Sequence, residues 1–583
     1  MIVKMKHLTL LCLENEKAET LERLEKIGCV HLESQPADTE ALRCATAKRD
    51  SLVAAIAVLE KFSDRKTPDD VQCPAAEQVL AAADERRRAL EEAAAMQKAV
   101  AAYRPFGSFD PEQARQLGAI LFTVPAAEPL PSVDGGLVQE VANDGRRRYG
   151  VVIGAAELPE GCDPVSLPSC SLAESDARIN DQLRHADELG LKLSSWSAAI
   201  PDLTMQLDEC KETVNFVAAA ATMGRQDSVC WITGWIPEDQ TGSLQREQSG
   251  DGPAWGISLR DPEPGETPPT LLRPPKPFRP VLALFEGLSI SPAYEETDIS
   301  VPFFAFFSIF FAMLVGDGGY GAIVLALTIW ARSKMRKAPS APFTLLTVFS
   351  LATIAWGFLS NTWFGCSLEC LNHPVAQWLG DPSYNNMMLL CFTLGVTHLA
   401  FARIWNAVMI FPDSKFLAQL GWAGILGFMY CMTCNIVGIF TCPKFMYWVF
   451  GVAVVLVFGF SLKKSELKEH GIELGLLPLN IVSTLGDIIS YVRLFAVGLA
   501  SVKVAQNFND MAVGLGLPLW AKIIPMVLIL LLGHGLNLAM AALSILVHAV
   551  RLNTLEFSNH KGISWAGYAY KPFKRKSADA ANA

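Results

Sequence analysis

The chain has 583 residues, of which 51% are hydrophobic and 19% charged, with a formal net charge of −10. That length allows several domains, and the apolar share points to a membrane part diluted by a soluble one. The negative balance offers no broad basic surface, which argues against nucleic acid as a partner.

The opening residues, MIVKMKHLTLLCLENEKAETLERL, carry too short an apolar patch for a signal peptide. The N-terminal part is therefore expected to stay on the cytoplasmic side. VKMKHLTLLCL alternates, ENEKAETLERLEKIG has helical spacing and CVHLES is strand-like, which makes a strand–helix–strand unit. Two helix-rich stretches follow, at 38–104 and 172–224, the first broken near SDRKTPDDVQCP. Leu52, Ile56, Leu59 and Phe62 recur at steps of three and four, as do Leu203, Leu207, Cys210, Val214 and Val217. An ordinary bundle face gives the same spacing. Because the stretches flank a globular insert, an antiparallel coiled-coil stalk is the favoured reading. The insert, 105–171, holds the strand-like runs LGAILFTVPA and RRRYGVVIGA and is expected to form a distal α/β lobe. Residues 225–275, with SVCWITGWIPEDQ and AWGISLRD, return to join residues 1–37 in a proximal α/β lobe. DPEPGETPPTLLRPPKPFRP ends the soluble half as an extended, proline-rich linker, and 276–300 leads into the membrane part.

From 301 to about 560 apolar runs dominate. A span needs ~20 apolar residues, and seven blocks qualify: 302–331, 342–364, 385–410, 417–440, 443–461, 475–505 and 517–552. Basic loops mark the cytoplasmic side. ARSKMRK, a turn marked by Arg403 and Lys415, LKKSELKEHG and the tail from 561, with YKPFKRK, are placed there, and the Lys/Arg-free loop 365–384 outside. A cytoplasmic N-terminus then requires the first block to pass twice. Gly316, Asp317, Gly318 and Gly319 supply a break near its centre. The expectation is a polytopic helical domain of about eight spans, the last two long and tilted.

Charge inside a membrane is rare and usually functional. Arg493 is a dozen residues or more from either end of its block, too deep to snorkel. Guanidinium keeps its proton, so it either pairs with a carboxylate or faces water. Asp487, six residues earlier, lies on another face of the same helix, and no partner in the chain is evident; a salt bridge to another span stays open. Arg551 ends the last block, where snorkelling and a place within the bilayer are both open. Ser483, Asp487, Ser490, Gln506, Asn507, Asn509, His534, Asn537 and His548 crowd the final two blocks. They can line aqueous cavities or make interhelical hydrogen bonds. Asp317 reads as a helix-end or loop residue ahead of a place in a proton path. The 14 cysteines show no metal-ligand pattern. Cys431 and Cys434 read as a buried pair, and a bridge between Cys366 and Cys370 is not counted on.

FFAMLVGDGGYG, SYVRLFAVGLAS and LVHAVRLNTLEF, in this order after a cytoplasmic stalk, resemble the membrane stator subunit of rotary V-type and A-type ATPases, subunit I in prokaryotes and subunit a in eukaryotes. ITGWIPED and the opening strand–helix–strand are similar too, so the resemblance covers the whole chain. It implies a non-catalytic subunit, without cofactor or metal, of an ion-translocating ATPase in a prokaryotic cell membrane. The implied partners are the proteolipid ring (subunit K or c), peripheral-stalk subunits of the E/G type, a central-stalk-top subunit of the d/C type and the lipid bilayer. It assigns ion translocation to Arg493 and Arg551, and makes Ser483, Asp487, Ser490, Gln506, His534, Asn537, His548 and Glu556 candidates for lining half-channels. Eukaryotic relatives have glutamate at the position of Ala541 and histidine at that of Ser501, so their proton path does not transfer directly. The physics agrees: a proteolipid carboxylate must be neutral or ion-bound to face lipid, and beside a permanent guanidinium it ionises and releases its ion. On this reading the carboxylate partner of Arg493 arrives with the ring. If Arg493 is locked to an acid of its own chain and remote from any ring, this account fails. The sequence has no GxxxxGK[ST] loop, which puts ATP chemistry in other subunits.

Two rivals stay open. A secondary transporter with its site at the broken first block explains the glycines and Arg493 but not so large a stalk. A membrane-anchored coiled-coil scaffold leaves Arg493 unexplained.

Overall fold

The computed structural model describes residues 1–33, 39–62, 73–126, 128–131, 136–154, 158, 162–248, 255–336, 338–461, 471–516 and 518–575. Most of the expected break at SDRKTPDDVQCP, nearly all of the basic loop LKKSELKEHG and the tail beyond 575 lie outside the described residues. The chain divides into two compact units, one of Met1–Leu13, Glu22–Glu33 and Trp231–Ala583, the other of Glu14–Leu21 and Ser34–Cys230.

In the second unit, helices Glu40–Glu60 and Ala76–Tyr103 run out, and Leu172–Trp196 and Ile200–Thr222 return. Tyr103 Oη meets Ser175 Oγ at 3.1 Å and His185 Nε2 meets Glu85 Oε1 at 2.9 Å, so numbering rises on one strand of the stalk as it falls on the other. The return begins on a capping box: Ser171 Oγ accepts from the Glu174 amide, and Glu174 Oε2 accepts from the Ser171 amide. Leu52, Leu59, Leu203, Leu207, Cys210 and Val214 are buried in one seam, which Ala55, Val79, Ala82, Leu189 and Leu193 complete. Between the two arms, an antiparallel sheet runs in the order Leu137–Asn143, Arg147–Ile153, Ile120–Pro125, Asp163–Val165. Phe122, Val124 and Val152 form its core.

The first unit starts with a sheet in the order His31–Leu32, Val229–Pro237, Met5–Leu13, Gly256–Arg260. Met5, Leu8, Leu10, Trp235 and Ile236 fill its core. The proline-rich stretch is non-helical except for one 3₁₀ turn at Lys276–Phe278, and a short helix, Val281–Leu288, then buries Val281 and Phe285 in the membrane-domain core. The C-terminal segment returns to the lobe as a strap. The Thr270 amide donates to Tyr568 O, the Tyr570 amide to Thr270 O and the Phe573 amide to Val30 O, while Tyr570 Oη donates to Cys29 O at 2.6 Å. The last helix is thus tied to the soluble lobe at its C-terminal end.

Among the described residues, five helices or helix pairs are long and apolar enough to cross a membrane: Ser340–Ser360, Asn385–Ile410, Lys415–Val437, Gly475–Val513 and Ala521–Lys561. Ser300–Val315 and Gly318–Lys334 qualify as a pair bent by 117°, and Lys444–Phe460 is a shorter apolar helix. Against the expected eight passes, five segments meet a span's length among the described residues, or six with the bent pair counted as one span. The last two, of 39 and 41 residues, measure about 60 Å each, twice the ~30 Å hydrocarbon thickness, so they must tilt steeply or project beyond it. Cys431 and Cys434 are both buried in the Lys415–Val437 helix. Arg403, expected at a turn, instead lies within the Asn385–Ile410 helix, its guanidinium 5.0 Å from the Trp422 ring. An aromatic partner and polar neighbours let it stay inside, which a positive charge in a sequence does not reveal.

The break in the first block is built on one buried acid. Gly316 ends the first helix with φ 71°, a left-handed cap. Asp317, with 0% exposure, accepts from the amides of Gly319 (2.8 Å), Phe364 (2.8 Å) and Gly365 (2.7 Å), and more distantly from Tyr320. It caps the second helix and pins the loop after Ser360 to the break. Each donor left unmet in such a place costs about 1–3 kcal/mol. Asp317→Ala is therefore expected to destabilise the purified chain by about 3 kcal/mol or more, read as a lower unfolding midpoint in detergent; an unchanged midpoint would contradict the lock.

Candidate functional site

The penultimate span is two helices, Gly471–Ile489 and Val492–Val513, with a turn between them. Tyr491 fixes that turn. Its ring is fully buried, its hydroxyl meets His398 Nδ1 at 2.8 Å, and a Cβ on Gly395 would come within 2.6 Å of it. Arg493 is the second residue of the new helix. At the break the Ser490 carbonyl accepts from both the Arg493 amide, at 3.3 Å, and Arg493 Nε, at 3.0 Å, which fixes the base of the guanidinium.

There it meets Glu556. Arg493 Nη2 is 2.7 Å from Glu556 Oε1, and Arg551 Nε is 3.5 Å from the same oxygen. The expectation that Arg493 lacks an acid in its own chain is thus corrected: a partner stands 63 residues later. Winding explains why it was hidden. In an α-helix, residues five apart point about 140° from one another, so Arg551 and Glu556 should diverge. Here the last helix turns π-helical over Ile545–Ala549 and again over Leu552–Phe557. Its i→i+5 bonding brings residues five apart onto nearly one face. One carboxylate then serves two guanidiniums and leaves one positive charge in excess. The Arg493 side chain stays 21% exposed and that of Arg551 54%.

Two cavities are lined in part by the penultimate span, although Arg493, Arg551 and Glu556 belong to neither lining. One, of about 320 Å³, runs along the Val492–Val513 helix from Gln506 and Lys503 to Leu494, and is also lined by Asn361, Gly365, Cys366 and Gly380. The other, of about 560 Å³, is lined by Asn480, Ser483, Thr484 and Asp487 from the preceding helix and by Asn559 and His560 from the last one. Asn559 and His560 place it near the end of the last helix from which the strap continues. Along the chain, Arg493 follows Asp487 of the second lining and directly precedes Leu494 of the first.

The remaining candidates divide. Ser483, Asp487 and Gln506 line cavities, and Ser490 contributes its carbonyl. His534 and Asn537 lie outside both linings, in a network that sequence reading missed for want of Tyr320. Tyr320 Oη meets His534 Nδ1 at 2.7 Å and accepts from Asn537 Nδ2 at 2.9 Å; Asn537 Oδ1 accepts from Ser501 Oγ, and Asn509 Oδ1 meets His534 Nε2. This network joins the broken block to the last two spans. His548 sits in the first π-helical stretch, and its Nδ1 is buried with no hydrogen-bond partner among the described residues. Tyr491, Arg403 and His560 were also unforeseen; nothing in local spacing marks them, because their partners are 93, 157 and 73 residues away.

The last span hides little of itself: 11% of its most apolar window is buried, against 28–50% in the other long spans. Ile524, Leu528, Leu532, Leu536, Met540, Leu543 and Val547 form an exposed stripe at helical spacing, and the next step of the stripe is Arg551. The stripe passes the cluster on the side away from the bundle's core.

No family model matches the chain. It is 30% identical over 623 residues, 99% of this chain and 100% of the other, to the V-type ATP synthase subunit I of Borreliella burgdorferi. It is 28% identical over 99% of its length, and 100% of the relative's, to V-type ATP synthase subunit I 1 of Treponema pallidum. The A-type ATP synthase subunit I of Methanocaldococcus jannaschii matches at 26% over 61% of this chain and 56% of that one. A crystal structure of the cytoplasmic N-terminal domain of subunit I, homolog of subunit a, of V-ATPase is matched over 44% of this chain and all of that one, at 15% identity and a TM-score of 0.21, a likeness too weak to argue from.

Proposed function

The chain belongs to the V-type and A-type ATP synthase subunit I family, and from that premise we infer that it is the membrane stator of a rotary ATPase, forming the ion path together with a proteolipid ring. The observation that carries this is the Arg493–Glu556–Arg551 cluster, whose Arg493 sits on a span that also lines two cavities, one before Arg493 in the chain and one after it. A ring carboxylate picks up an ion from one cavity, turns through lipid in neutral or ion-bound form, and returns to the cluster from the other side. There the excess positive charge favours its ionised state, and the ion leaves. Arg493 also repels a cation that would pass straight from cavity to cavity, and its permanent charge makes it a better barrier than a titratable amine.

The exposed stripe supplies the docking face. A guanidinium presented to hydrocarbon is strongly disfavoured, so a stripe that leads to Arg551 is better explained by a protein surface carrying acids than by lipid. The finer assignments follow from the same reading. ATP hydrolysis or synthesis belongs to other subunits. The soluble part, held on the cytoplasmic side with the C-terminal strap, binds peripheral-stalk subunits of the E/G type and a central-stalk-top subunit of the d/C type. The membrane is a prokaryotic cell membrane. The test is isolation of the tagged chain from native membranes. Proteolipid ring and soluble ATPase subunits should come with it; a chain that isolates alone and moves a solute when reconstituted would overturn the proposal.

A further inference from the structure

The larger cavity holds an arrangement that the cluster at Arg493 does not use. Arg403 Nε stands 3.0 Å from His560 Nδ1, and His560 Nε2 stands 3.0 Å from Asp487 Oδ2. A guanidinium N–H can only donate, so Nδ1 is the lone-pair nitrogen of His560. The remaining proton of the neutral ring sits on Nε2 and is given to Asp487. The tautomer is thereby set by Arg403, which is itself held by Gln419 Oε1 at 3.3 Å and the face of Trp422. Asn406 Nδ2 donates to the carbonyls of His560 and Lys561, which fixes the end of the last helix.

We propose that Asp487 is the residue on which the transported cation rests in this cavity before it reaches the ring, and that Arg403 and His560 are positioning residues that aim its carboxylate. Three observations converge. Asp487 belongs to the lining of the 560 Å³ cavity near the end of the last helix. Its side chain is 27% exposed while that of His560 is 3% exposed, so water reaches the acid and not the imidazole. It lies six residues before Arg493, on the near side of the turn at Tyr491. The groups facing it are Arg403 from the Asn385–Ile410 helix, His560 from the last helix and Tyr491 from the turn, while the Lys415–Val437 helix contributes Trp422 to the wall. Asp487 takes a proton, or holds a sodium ion, from cavity water. It then passes the same ion to the ring carboxylate and returns to its anionic form. His560 keeps its Nε2 proton throughout, so the step needs no further reactant.

This rests on the stator reading, and the experiment separates the two. ATP-driven transport by the intact complex is measured in inverted vesicles, with the cation varied on the ATP side as a pH series at fixed sodium and a sodium series at fixed pH. Asp487→Asn should raise about tenfold the cation concentration needed for half-maximal transport, and do so more than it lowers the maximal rate. Arg403→Gln and His560→Leu should shift it in the same direction, and His560→Gln, which can accept from Arg403 and donate to Asp487, should shift it less than His560→Leu. The series that moves identifies the ion. Should Asp487→Asn not assemble, His560→Leu in an assembled complex carries the same test. A half-maximal concentration unchanged in both series, or a loss of rate uniform across them, overturns the role of Asp487 while leaving Arg493 untouched. Transport that survives Arg493→Ala instead overturns the stator reading itself.

Discussion

Arg493→Ala is expected to yield a complex that assembles and hydrolyses ATP but moves no ions. The side chain reaches out from a turn that Tyr491 and Gly395 hold independently, so removing it should not unfold the bundle. What disappears is charge. A guanidinium about 4 Å from a ring carboxylate favours the ionised acid by about 4 kcal/mol at an effective dielectric near 20, roughly a thousandfold in ion release. Without it, Arg551 and Glu556 cancel, nothing discharges the returning carboxylate, and nothing repels a cation crossing between the two cavities. Arg493→Lys should fail as well, because a single ammonium cannot keep Nε on the Ser490 carbonyl while offering a second N–H to Glu556. The measurement is ATP-driven ion uptake in vesicles, normalised to assembled complex. Coupled uptake by the alanine variant within tenfold of wild type would sink the mechanism.

Much of the architecture can be read from the chain because it depends on local repetition. The heptad-like run Leu203, Leu207, Cys210, Val214 announces a buried seam, and that seam is where these four side chains lie. Apolar blocks announce membrane helices, and GDGG announces the bend of 117°. What composition and spacing cannot show is what joins distant segments. Glu556 lies on the wrong face for Arg551 under α-helical geometry, and only π-helical winding corrects this. Arg403 resembles a loop marker by charge alone, yet a carboxylate two bonds away through His560 and the Trp422 face let it remain inside. His534 and Asn537 were visible as polar residues in an apolar span, but their role depends on Tyr320, more than 200 residues earlier. In each instance the chemistry is set by pairing between spans, and pairing is tertiary information.

Glu556→Gln is expected to slow the motor without uncoupling it. The carboxylate is 5% exposed at its side chain, with Oε1 shared by two guanidiniums and Oε2 buried without a hydrogen-bond partner among the described residues. Its contribution is therefore chiefly one negative charge set against two positive ones. The amide has nearly the same shape, so assembly should survive, but the site's excess charge rises from one to two. A ring carboxylate passing at about 6 Å then feels about 3 kcal/mol of additional attraction. If departure from the cluster limits rotation, turnover falls by about a hundredfold. Ion movement and ATP hydrolysis should fall together, since the ring is held rather than bypassed, unlike the loss at Arg493. Charge makes this separable from packing. Arg551→Gln combined with Glu556→Gln returns the excess to one and should recover most of the turnover, although it alters two buried or half-buried groups instead of one. A single variant with wild-type turnover, or a double variant slower than the single, would mean that Glu556 holds the helices together rather than setting the charge that the ring encounters.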